Sequence, residues 1–160
     1  MTELKIWTTR QTIKVAAPPK RVYALLAGIE GWPSLFDSIA AVEQLGPNRD
    51  TARFRIVETS GNTWISTREA NPKKLTVRYR RTNPPPPLES MAGLWRVETK
   101  VAGVVVALDH YFRVFDDSEE TAAAAAEQIA ARGTAMLGSL QRVADATAHL
   151  PAVAPEREAS

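Results

Sequence analysis

Between Thr51 and Phe115 the chain alternates apolar and polar side chains with a period of two, and after Ser118 it changes to a helical period and keeps it to Leu150. That order constrains the fold more than any other feature. Several antiparallel strands have one apolar face to hide, and a single long amphipathic helix is available to cover it. A sheet curled around one helix cannot fill its concavity with backbone. Large side chains or a ligand must occupy the space left at one end.

The elements follow from local signals. Trp7 to Val15 alternates loosely and stops at AAPPK, which reads as a strand. Pro18 and Pro19 suit a helix start, and Val22, Leu25, Leu26 and Ile29 recur at helical spacing behind them. WPSLFDSI predicts a second short helix with Trp32, Leu35, Phe36 and Ile39 on one side. GPNRD at 46–50, SGN at 60–62 and ANPKK are turns, and NPPPP at 83–87 must be a loop. Between them, Phe54 and Ile56 oppose Arg53 and Arg55; Leu75, Val77, Tyr79 and Arg81 share a face; so do Met91, Gly93, Trp95 and Val97. VVVALDHYFRVF is a long strand with Val106, Leu108, His110, Phe112 and Val114 in phase. Ser118, with glutamates close behind, caps the last helix, whose stripe runs Ile129, Gly133, Met136, Leu137, Leu140, Val143, Ala144 and Thr147. Pro151 ends it. The expected order is a strand, two short helices, about six antiparallel strands and one long helix.

Bulk properties exclude several classes. The 160 residues suffice for one core, and 44% hydrophobic with 24% charged residues is ordinary for a globular domain. There is no cysteine, hence no disulfide or thiolate metal site. The only histidines are His110 and His149, without a carboxylate cluster, so no metal is expected. No P-loop, GxGxxG or GxSxG occurs. VAGVVVAL, 101–108, is too short to span a membrane, and the N-terminus has no signal-peptide pattern. A net charge of +2 with dispersed basic residues gives no nucleic-acid footprint. The expectation is a soluble, cytoplasmic protein with neither nucleic acid nor membrane as partner.

Two segments carry candidate chemistry. In TWISTR, 63–68, Trp64, Ser66 and Arg68 share one face and Thr63, Ile65 and Thr67 the other. Ile65 can face inward with Arg68 solvated. Alternatively the larger Trp64 faces inward and takes Arg68 with it, which demands an acceptor. No run of inward carboxylates is apparent, so a ligand carbonyl or enolate is a suitable one. His110 is either a hydrogen-bonded core histidine or an imidazole offered to a cavity, where it can exchange protons near neutral pH. Asp109 points to the opposite face and is a poor partner for it. Trp32, Tyr79 and Trp95 either fill core or form flat walls for a planar ligand. Gly133 and Gly138 thin the long helix opposite such a pocket or ease its packing.

The stretches IKVAAPPKRVYALLAGIEGWPSLF, TWISTREANP with its W-x-S-x-R, MAGLWR and LDHYF together resemble the aromatase/cyclases of bacterial type II polyketide synthases, within the polyketide cyclase/dehydrase group, from about Thr12 to Val143. The resemblance implies an α+β helix-grip (START-like) fold: a curved antiparallel sheet of about six to seven strands around the C-terminal helix, two short helices after the first strand, and an internal cavity. Residues 1–150 would form one domain and 151–160 a flexible tail. It implies an enzyme that folds a poly-β-ketone delivered by an acyl carrier protein, beside other synthase subunits, closes a ring by aldol addition and dehydrates it, without a cofactor. Arg68, His110 and Ser66 would be catalytic. Trp32, Trp64, Tyr79, Arg81, Trp95, Phe112 and Met136 would bind substrate, with Arg81 near the arm of the carrier and Met136 where some relatives place a helix carboxylate. A non-catalytic START-like carrier of an apolar or aromatic molecule is the alternative.

Overall fold

The computed structural model describes residues 3–46 and 52–148. Most of the turn expected at 46–50 and the tail expected at 151–160 lie outside them. Strand β1 (Trp7–Val15) leads to helix α1 (Pro19–Ala27), a 3-10 turn at Ile29–Gly31 and the four-residue helix α2 (Trp32–Leu35). Six strands follow, β2 (Ile39–Gln44), β3 (Ala52–Glu58), β4 (Thr63–Asn71), β5 (Thr76–Thr82), β6 (Leu88–Lys100) and β7 (Gly103–Val114), then helix α3 (Glu119–Ala146). They form one seven-stranded antiparallel sheet in the order β1-β7-β6-β5-β4-β3-β2.

Capping fixes the helices where the sequence places them. Pro19 takes the first turn of α1, where a missing N–H costs nothing. The Ser118 hydroxyl accepts from the backbone N–H of Glu120 (3.1 Å) and of Thr121 (3.3 Å), which sets the start of α3. The helix expected over WPSLFDSI is shorter than its pattern: Phe36 turns extended (φ −120°, ψ 122°), and Ile39 opens β2 instead. That edge strand escapes a sequence reading because most of its side chains are exposed and a bulge between Ile39 and Ala41 breaks its alternation.

Helix α3 lies against β1 and β7, while α1 and α2 cover the sheet further along. The main core joins Val22, Leu26, Phe36, Ile56, Trp95, Leu108, Leu137 and Leu140. A second cluster, Leu88, Phe112, Val114, Ala122, Ala125 and Ile129, closes the end nearest the start of α3. Each buried methylene-rich side chain contributes about 1.5–3 kcal/mol, enough for the two clusters to hold the sheet around α3. Between them the described residues leave the sheet's inner face unfilled.

Candidate active site

The unfilled space is a cavity of about 410 Å³ bounded by the inner faces of β4 to β7, by α3, and by Pro85, Pro86 and Pro87 of the β5–β6 loop. Strand pairing arranges its polar side chains in rows. Arg68 on β4 is opposite Tyr79 on β5, Tyr79 opposite Gly93 on β6, and Gly93 opposite His110 on β7. The next row runs Ser66, Arg81, Met91, Phe112. Strands sit about 4.8 Å apart, so the backbones carrying Arg68 and His110 stand roughly 14 Å from each other across the cavity wall.

The W-x-S-x-R face is thus the inner one: Ser66 is 2% and Arg68 7% exposed, and Trp64 is half-buried on the same side. Arg68 Nη2 donates to the Leu26 carbonyl at 2.8 Å, and its guanidinium lies 4.7 Å over the Trp32 ring. A main-chain carbonyl thus takes the acceptor role for which a ligand carbonyl or enolate is the expected candidate. Among the described residues no carboxylate forms an ion pair with Arg68. Burial pulls its pKa down to about 10, opposed by the charge of Glu30, so it remains a cation at neutral pH.

An inward carboxylate nevertheless exists. Glu58 continues the Phe54, Ile56 phase of β3 and is 7% exposed. It accepts from Trp64 Nε1 (3.0 Å), from Ser60 Oγ (3.3 Å) and from Arg132 of α3. The signal was the unbroken period through RIVE. Arg132 and Gln128, which line the cavity from α3, were also missed, because the polar side of that helix gave no reason to face them inward.

His110 is 5% exposed and lines the cavity, with its Nε2 2.6 Å from the Tyr79 hydroxyl. Among the described residues its Nδ1 has no partner. Burial pushes the imidazole down to about 4; the Asp109 charge opposes this and Arg132 adds to it. His110 is therefore neutral at pH 7. Asp109 does face the other way, where it binds Arg10 (2.7 Å) and Arg96 (3.1 Å). Burial raises the Tyr79 phenol, partly offset by Arg132, Arg81 and Arg68, so Tyr79 keeps its proton.

The remaining expected residues divide. Trp32, Trp64, Tyr79, Arg81, Trp95 and Met136 line the cavity. Trp32 packs edge-on to Trp95 at 6.2 Å and donates its indole N–H to the Leu26 carbonyl at 3.2 Å. Arg81 stacks over Trp64 at 4.7 Å, and its Nε has no partner among the described residues. Trp95 Nε1 is likewise buried without an acceptor among them. Phe112 is the correction: it is 1% exposed inside the second core cluster, because its row neighbours Trp7 and Met91 pack against the start of α3 there. Gly133 touches the cavity, but Gly138 has open space beside it and only Arg142 near.

A concave apolar chamber with a fixed cation at one end of a row and a neutral imidazole at the other can hold and polarise a carbonyl-bearing chain while moving a proton along it. Residues 7–145 match the family described as polyketide cyclase / dehydrase and lipid transport, and the chain belongs to that family. It is 36% identical over 110 residues to the actinorhodin polyketide synthase bifunctional cyclase/dehydratase of Streptomyces coelicolor, covering 67% of this chain and 35% of that protein. It is 33% identical over 141 residues to the granaticin polyketide synthase bifunctional cyclase/dehydratase of Streptomyces violaceoruber, covering 86% and 44%. The chain thus spans less than half the length of these curated relatives. Among solved structures, the di-domain ARO/CYC BexL of the BE-7585A biosynthetic pathway superposes with a TM-score of 0.78 at 26% identity, over 85% of this chain and 45% of that one. The Zhui aromatase/cyclase of a Streptomyces species has the same fold, with a TM-score of 0.75 at 24% identity over 91% and 98%. The helix-grip expectation is met. Among the described residues no helix is long and apolar enough to cross a membrane.

Proposed function

We propose that this chain is a polyketide aromatase/cyclase: it folds a carrier-bound poly-β-ketone in the cavity, closes a ring by intramolecular aldol addition and removes water to make the ring aromatic. The observation that carries the reading is the row Arg68–Tyr79–Gly93–His110 on the cavity wall. A methylene between two ketones is already acidic, so a weak base suffices if the enolate oxygen meets a cation. Arg68 supplies that cation, and one well-placed donor of this kind contributes about 3 kcal/mol to the transition state. Neutral His110, with its Nε2–H donating to the Tyr79 hydroxyl oxygen, takes the methylene proton at Nδ1. The enolate carbon then attacks a ketone carbon further along the bent chain, a C–C bond forms, and the alkoxide takes the proton back from the imidazolium. Dehydration repeats the cycle: an α-proton passes to His110, the C–O bond breaks, and hydroxide leaves with that proton as water. No oxidation state changes, so the chemistry calls for no redox cofactor.

The walls supply the fold of the chain. Trp32, Trp64 and Trp95 are flat apolar surfaces, and holding the reacting carbons together contributes several kcal/mol more. Trp95 Nε1 and Arg81 Nε are buried donors without acceptors among the described residues, which suits a ligand rich in carbonyl oxygens. Arg81 borders both the cavity and a second groove outside it, so a chain tethered to an acyl carrier protein and handed on by other synthase subunits would pass it. Ser66 sits between Arg68 and Trp64 and lines the same path.

The test is reconstitution with a minimal type II synthase that makes a poly-β-ketone on its carrier. Added protein should shift the products toward one aromatic, singly cyclised class by mass spectrometry. Arg68→Ala should return the mixture to that of the synthase alone. Tight binding of aromatic polyketides with no change in product ratio would favour a carrier instead.

A further inference from the structure

The Tyr79 hydroxyl reaches His110 only because nothing stands between them on β6. Both residues pair with Gly93, one from each side. A Cβ at Gly93 would lie 2.2 Å from Tyr79 Cε1 and 2.8 Å from its hydroxyl oxygen, so the phenol ring rests directly on the glycine backbone. In most sheets a side chain on the middle strand would separate residues two strands apart. Here its absence lets Tyr79 cross β6 and place its oxygen 2.6 Å from His110 Nε2, the rings meeting nearly edge-on at 80°.

That contact decides what the imidazole offers. A neutral imidazole has one donor and one acceptor nitrogen, and a hydrogen bond at one of them fixes the other's role. With Nε2 occupied, Nδ1 is the remaining polar atom, and it is buried with no partner among the described residues, on a residue that lines the cavity. The groups bearing on the pair are Arg132 from α3, Arg68 and Arg81 from β4 and β5, and Asp109 on the far face of β7.

We infer that Tyr79 is a positioning residue for His110: its hydroxyl oxygen accepts from Nε2–H, which leaves Nδ1 as the unprotonated nitrogen turned to the substrate, and Gly93 is the position that allows it. The inference rests on the cyclase reading for its consequence in catalysis, and on geometry alone for the clamp. It also moves Tyr79 from the role of a passive wall to that of an adjunct of the proton-transfer residue.

The clamp is tested by two-bond ¹⁵N–¹H NMR of the histidine ring at pH 7, with His110→Gln identifying the His110 signals. In the wild-type protein the Nε2–H tautomer of His110 should dominate, and a dominant Nδ1–H tautomer overturns the inference. Tyr79→Phe, which keeps the ring over Gly93 and removes the hydroxyl, should give a mixed tautomer pattern and slow aromatic product formation by about tenfold or more. Gly93→Ala should produce the same nitrogen pattern with the hydroxyl still present, and the double variant should be no worse than either single one. An unchanged His110 pattern in Tyr79→Phe and Gly93→Ala overturns the inference. So does a wild-type rate for Tyr79→Phe under conditions where His110→Gln is slow. If His110→Gln itself keeps the wild-type rate, it is the use of His110 in the proposed function that fails.

Discussion

Arg68 and Leu26 are joined by a 2.8 Å hydrogen bond from the guanidinium to a main-chain carbonyl near the C-terminal end of α1. Carbonyls there lack helical partners and carry partial negative charge. The arrangement holds the cation inside the protein without neutralising it, as a carboxylate would. Trp32 Nε1 donates to the same oxygen, so the carbonyl stays satisfied if the arginine is removed. Arg68→Ala should therefore change unfolding free energy by no more than about 1–2 kcal/mol while lowering product formation about 100-fold. Arg68→Lys keeps the charge but not the planar fork, and should fall between. Collapse of the fold in Arg68→Ala, seen by circular dichroism, would count against this division of roles.

His110 makes stability depend on acidity. Its folded pKa of about 4 lies below the ordinary 6.5, so between those values the unfolded chain binds the extra proton. Stability is full above pH 6.5 and is lost as pH falls toward 4, by about 3 kcal/mol from this group. Urea melts at pH 7 and 4.5 should show the loss, and His110→Gln should flatten it over that window. An equally steep decline in the variant would assign the effect elsewhere.

Glu58 is satisfied by three donors from different elements, Ser60, Trp64 and Arg132. Glu58→Gln can turn its N–H₂ to the Ser60 hydroxyl, which also accepts, but leaves only a neutral oxygen for Trp64 and the Arg132 cation. The cost should be about 1–3 kcal/mol by denaturant unfolding. The Trp64 indole N–H signal should move in NMR spectra, because its acceptor is altered. A Trp64 signal that stays in place would mean the bond contributes little to holding that wall.

The two packed glycines should respond oppositely to alanine. At Gly93 the new Cβ strikes the Tyr79 ring. At Gly133 it meets Gln11 Oε1 at 2.8 Å, the far end of a flexible side chain whose oxygen has no donor to lose among the described residues, and Leu108 at an ordinary 3.5 Å. Gly133→Ala should accordingly be neutral or stabilise α3 by up to about 1 kcal/mol, since alanine favours a helix over glycine. Thermal melts of the two variants compare them directly, and a large destabilisation from Gly133→Ala would show that α3 and β1 cannot adjust.

Period and local chemistry determined much of this protein by themselves. Alternation assigned Trp64, Ser66, Arg68, Tyr79, Arg81 and His110 to one side of their strands, and Ser118 with the alanine-rich stripe behind it fixed the one helix available to cover them. Those features depend on neighbours a few residues away, which is all a sequence displays directly. What only the tertiary structure decided was register. Sliding β6 by two residues would keep every face and lose Gly93 from between Tyr79 and His110. The Leu26 carbonyl under Arg68, Glu58 beneath Arg132, and the burial of Phe112 away from the cavity have the same origin. Each depends on contacts between segments far apart in the chain, and those are set when the two core clusters pack around α3, not by the pattern of any one strand.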